Sequence, residues 1–129
     1  MNKTIFEIDG NDSSTLPEFA ADFTKRLNIE IEWHGNLDAL NDILHGGFGT
    51  PEDGFILIWK NSEVSRKRLG YPETIKWINE RINHGHPYNV AFFKERLALA
   101  NEQRGATLFD TIVEIFTQED HADIELRLE

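Results

Sequence analysis

The segment "GFILIWK", Gly54 to Lys60, restricts the architecture of this chain more than any other stretch. Its apolar residues run unbroken from Phe55 to Trp59, with the turn formers "TPEDG" before them and "NS" after Lys60. A continuous run of strand length reads as a central strand of a parallel sheet, covered on both faces, because a strand with one wet side alternates instead. Parallel neighbours require long crossovers, so any partner strands must lie far away in sequence with helices between.

Two segments fit that requirement. "KTIFEI" places Ile5 and Ile8 around Phe6 and is closed by the turn-rich "DGNDSS", while "ADIELRLE" alternates Ile124, Leu126 and Leu128. Between them the period changes to that of helices. "TLPEFAADFTKRLN" repeats Leu16, Phe19, Ala20, Phe23 and Leu27, with Ser14 or Thr15 as cap and Pro17 in the first turn. "IEIEW" is short and highly charged and reads as a loop or edge segment. In "NLDALNDIL", Asn36 caps a helix whose stripe is Leu37, Leu40 and Leu44, with Ile43 beside it. "NSEVSRKRLG" predicts a short helix capped near Asn61 and stopped at Gly70. A longer one begins at Pro72 with Ile75, Ile78 and Ile82 inward, another at Pro87 with Val90, Phe93, Leu97 and Ala100, and a last at Thr107 with Leu108, Ile112, Ile115 and Phe116 buried. The order β-α-α-β-α-α-α-α-β makes an α/β fold: one small three-stranded parallel sheet packed with helices, in a single domain spanning residues 1–129. A chain of this length closes its core without disulfides, metal or cofactor, and it has no cysteine for disulfides or thiol chemistry.

Charge narrows the class of partner. The net charge of −10 argues against nucleic acid, whose phosphates are bound by lysine and arginine, and favours a basic protein. Residues 1–60 carry 4 basic against 11 acidic side chains and residues 106–129 carry 1 against 7, whereas residues 61–105 carry 8 against 5. No stretch has the length of a membrane span and the N-terminus has no signal-peptide pattern, so a cytoplasmic protein without a membrane partner, monomeric when free, is expected.

The familiar catalytic patterns are missing. "HGGFGTPEDG" is glycine-rich, but it follows a helix and precedes a strand, the reverse of a phosphate cradle, and Glu52 and Asp53 would repel an anion. His34, His45, His84, His86 and His121 read as exposed loop histidines rather than metal ligands, since "HGH" beside a proline lacks the spacing of a zinc site. No hydrolase signature is present. What does stand out is one helical face: Asp38, Asn41, Asp42 and His45 point together, at spacings of three, four and seven. Like charges four apart weaken a helix by about 0.2–0.5 kcal/mol. Asp38 at the helix start complements the dipole, whereas Asp42 in the second turn has no such compensation. A cationic partner covering both carboxylates would relieve that repulsion and gain charge-assisted hydrogen bonds.

The residues of this face also carry a resemblance. "NLDALNDIL" resembles the signature helix of the barstar family of intracellular ribonuclease inhibitors. "FEIDGND" with its following helix, "GFILIWKNSEVSRK" and "LFDTIVEIFTQEDHADIELRLE" are similar to the family's remaining elements, over roughly residues 3–70 and 106–129. Residues 71–105 read as a helical insertion adding two helices before the last helix and strand.

The resemblance implies a non-enzymatic inhibitor that plugs a ribonuclease active site with carboxylates in place of RNA phosphates. Asp38 and Asp42 match the family's two acidic positions, Asp42 the one that reaches the catalytic cations, and Asn36 and Leu37 match residues that approach the enzyme. Asn41 stands where the family has an aromatic, Trp33 and His34 loosely replace loop tyrosines, Gly47 and Phe48 fall at a tryptophan position, and Glu119 is the nearest candidate for a further acidic contact. Trp33 and Phe48 are then expected to serve as apolar anchors beside the acids. The expected partner is a basic ribonuclease or ribonuclease toxin domain, which makes the chain an immunity protein. The alternative is a non-inhibitory acidic module that binds another basic protein.

Overall fold

In a computed structural model, which describes residues 3–84 and 89–129, three strands form one parallel sheet in the order β1 (Thr4–Asp9), β2 (Phe55–Lys60), β3 (Ile124–Leu128). The unbroken apolar run is the central strand. Two helices, α1 (Leu16–Leu27) and α2 (Leu37–Leu44), connect β1 to β2; four, α3 (Ser62–Arg68), α4 (Tyr71–His84), α5 (Val90–Asn101) and α6 (Leu108–Phe116), connect β2 to β3.

The sheet differs from the sequence expectation in one respect: among the described residues, helices cover only one face. Register places Phe6 beside Leu57 and Ile8 beside Trp59, and these residues share the covered face with Phe55, Ile124 and Leu126. Trp59 is fully buried there, its ring 5.1 Å from Phe19 of α1 and 5.0 Å from Phe109 of α6. The opposite face carries Ile5, which is 56% exposed, with Ile56 and Ile58 half-buried between Glu7, Glu125 and Arg127. Ile56 and Ile58 are therefore shielded by neighbouring strands rather than by a second helical layer. The pairs Lys60–Glu7 at 3.4 Å and Arg127–Glu125 at 2.7 Å keep that face polar at its edges.

The ends of α1, α2 and α6 follow the expected chemistry, and the start of α3 does not. Thr15 caps α1 by accepting from the Glu18 amide at 3.3 Å, and Asn28 ends it in the left-handed region. Thr107 and Asp110 form a reciprocal capping box at the start of α6. Asn61, at φ +52°, precedes α3 but makes no cap bond; its side-chain Nδ2 donates to Asp9 Oδ1 at 2.9 Å. The Asn11 amide and then Asn61 hold the Asp9 carboxyl below its ordinary pKa.

The α4–α5 pair packs on itself, Trp77 against Phe93 with ring centroids 5.8 Å apart, and buries Ile78 and Ala100 outside the main core cluster. Of the inward residues expected in α4, Ile78 alone is fully buried, while Ile75 and Ile82 are half-exposed. Two polar links, one buried and one half-buried, attach the pair to the rest of the fold. The Leu108 amide donates to Thr74 Oγ1 at 2.9 Å, and the Leu16 amide donates to Glu73 at 2.9 Å. The expected helix start at Pro87, and His86 of "HGH", lie outside the described residues.

Candidate functional site

Helix α2 is held by its apolar stripe: Leu37, Leu40, Ile43 and Leu44 are all buried. Burial of that stripe forces the opposite face outward. Asp38 and Asp42 are both exposed, and among the described residues neither carboxylate has an ion-pair partner. Asn36 caps the helix, its side-chain oxygen accepting from the Asp38 and Ala39 amides at 3.0 and 3.1 Å. That oxygen is thereby committed to the helix start.

Asn41 lies between the two acids and is half-buried. His121 Nε2 donates to Asn41 Oδ1 at 2.7 Å, joining α2 to the 3-10 turn Glu119–His121 that follows α6. His121 is 1% exposed, which corrects the expectation of an exposed loop histidine. Its Nδ1 has no hydrogen-bond partner among the described residues, and its ring is 4.6 Å from that of His45 at the end of α2. Burial first, then His45, lowers the His121 pKa below the ordinary histidine value, against the opposite influence of Asp120 and Asp123. His45 in turn lies 3.8 Å from the Asp120 carboxylate. Exposed Glu119 therefore stands on a turn pinned to α2, with Asp120 beside it, although the turn lies beyond the end of α6.

The remaining expected contacts divide. Trp33 is 3% exposed and edge-on to Phe19 and Phe23, with centroids 6.4 and 5.9 Å away, so the structure corrects its role as a surface anchor. The loop turns inward there: the Asn36 amide bonds the Trp33 carbonyl at 2.8 Å, and Gly35, at φ +84°, presses against Leu16, where a Cβ would approach Cγ to 3.0 Å. The Leu37 side chain is likewise committed to the core. His34 remains exposed, and Gly47, at φ +91°, stands in open space. Phe48 is half-buried against the core while its carbonyl accepts from the Glu30 amide at 2.8 Å.

A family model described as Barstar (barnase inhibitor) matches residues 3–83, which include β1, α1, α2, β2 and α3. The chain belongs to the barstar family. Members of the barstar family inhibit barnase-type ribonucleases and are not enzymes. The match runs into α4, the first helix of the segment read as an insertion, and stops before α5. No curated protein matches the chain. No helix among the described residues is long and apolar enough to cross a membrane.

Sequence reasoning missed the residues that surround α2. A groove of about 310 Å³ separates it from α4, α5 and α6, lined among others by Asp38, Asn41, Arg81, Phe92, Arg96 and Gln118. The signal available was modest: α5 has no single apolar face, its Phe92, Phe93, Leu97 and Leu99 being spread around the helix, a pattern one neighbouring helix cannot fully bury.

Proposed function

We propose that this protein is an intracellular immunity protein that binds a cytotoxic ribonuclease and occludes its active site. The observation that carries the reading is the α2 face, where Asp38 and Asp42 stand exposed and unpaired among the described residues of a barstar-family chain of net charge −10. In the occluded complex Asp42 meets the cations that bind the scissile phosphate and Asp38 those beside them. Desolvation at the interface strengthens these charge-assisted bonds, and the acidic surface accelerates encounter with a basic enzyme. Asn41, fixed by His121, replaces an aromatic at the centre of this face and directs the protein toward a ribonuclease other than barnase. Glu119 adds a further acidic contact from the adjacent turn.

The test is RNA cleavage by barnase and by any ribonuclease encoded beside this gene, titrated with the purified protein. Stoichiometric loss of cleavage by either enzyme supports the reading. Tight binding with cleavage intact favours a non-inhibitory acidic module instead.

A further inference from the structure

We infer that the groove between α2 and α5 is a second contact surface for the same ribonuclease, occupied by a loop that flanks its basic cleft and carries an apolar side chain beside a carboxylate. This rests on the inhibitor reading above.

Three observations converge on the groove. Asp38 and Asn41 of α2 line it together with Phe92 and Arg96 of α5, so a partner that covers the acid face necessarily reaches its rim. An eight-residue helix is only about 12 Å long. One face of it falls well short of the roughly 800 Å² per partner that stable complexes bury, which requires flanking surface.

The flanking wall is apolar and preformed. Phe92 is 56% exposed, its ring 5.3 Å from Phe93 and 5.9 Å from the Arg96 guanidinium, which lies equally close to Trp77. An exposed aromatic held in place by a cation and a second ring loses little conformational freedom on binding, as interface anchors do. Arg81 supplies the polar requirement. Its Nε is buried beside the same groove and has no acceptor among the described residues. A carboxylate on the incoming loop would pair with the Arg81 guanidinium that lines the groove, as a bare hydrocarbon surface would not. Phe92 and Arg96 of α5 lie beyond the family match, whereas Trp77 and Arg81 of α4 lie within it, and together they would help to select which ribonuclease is bound.

The test titrates barnase and any ribonuclease encoded beside this gene with wild type, Phe92→Ala, Arg81→Ala and Asp42→Ala, with thermal melts as a folding control. Phe92→Ala is expected to melt like wild type and to weaken inhibition of the susceptible enzyme ~10-fold or more, with Arg81→Ala weakening it as well and Asp42→Ala weakening it further. If Asp42→Ala is impaired while both groove variants inhibit like wild type, the groove inference is overturned and the acid-helix reading stands. If Asp42→Ala inhibits like wild type, or the wild-type protein inhibits neither enzyme, the inhibitor reading is overturned and the groove inference falls with it.

Discussion

His121 and Asn41, 80 positions apart in sequence, meet through a single hydrogen bond of 2.7 Å that joins the acid-bearing helix to the turn before the last strand. The bond makes Asn41 a fixed point between Asp38 and Asp42, and it gives the chain a titratable group buried behind its proposed binding face. His121 is held below the ordinary histidine pKa of 6.5, chiefly by burial and next by His45, while Asp120 and Asp123 pull the other way. The folded state therefore disfavours the protonated form relative to the unfolded chain. Its stabilising contribution is complete above about pH 6.5 and is lost as pH falls through the lowered folded-state value. Urea unfolding at about pH 7.5 and about pH 5 should show lower stability at the acid end. His121→Gln, which keeps a donor for Asn41 and cannot titrate, should flatten that difference; an unchanged slope would remove His121 as its source.

Trp59 at the sheet centre donates from Nε1 to Ser65 Oγ at 2.9 Å, both side chains being buried. Ser65→Ala leaves an indole N–H without an acceptor in the core. A loss of ~1–3 kcal/mol in unfolding free energy is expected. Denaturant titration measures it, and a change within a few tenths would mean that the core relaxes around the gap.

Thr74 links the α4–α5 pair to α6. Its hydroxyl accepts from the Leu108 amide and donates to the Gly70 carbonyl at 2.7 Å, and the residue is fully buried. Thr74→Val keeps the shape and removes both bonds, which should cost about 2 kcal/mol or more. Hydrogen exchange should locate the loosening at the Leu108 amide; unaltered protection there would show that the helix start is held by its Thr107 cap alone.

How much of this was legible in the sequence depended on the range of the interactions. The order of strands and helices follows from periodicities that local residues impose, and caps such as Thr15, Asn36 and Thr107 need only neighbours three positions away. The bare sheet face was not legible, because Ile56 and Ile58 read like the buried Leu57 until register shows which strands shield them. The acid pair on α2 was visible from spacing alone. Trp33 was misplaced because aromatic residues of loops serve equally as core wedges or surface anchors, and only the turn at Gly35 decides between them. His121 and the Arg81–Phe92 groove depend on contacts across the chain that no local pattern encodes.

Association should be steered by charge. With a net charge of −10 and a basic target, the association rate should fall several-fold between about 0.05 and 0.5 M salt, while dissociation changes less. Stopped-flow binding to the susceptible ribonuclease checks this, and a salt-independent association rate would contradict the electrostatic part of the mechanism.

Asp42→Ala tests the central claim most directly, because the side chain has no hydrogen-bond or ion-pair partner to lose among the described residues. Removing one of two like charges four apart on α2 should leave stability unchanged or raise it by about 0.2–0.5 kcal/mol. Truncating one member of a desolvated charge pair should weaken binding by ~2–5 kcal/mol, a general range to which the barnase complex itself contributed. The measurement is the inhibition constant of Asp42→Ala against the susceptible ribonuclease, beside wild type. The account predicts a rise of about 30-fold or more with an intact melt; an unchanged inhibition constant would contradict it.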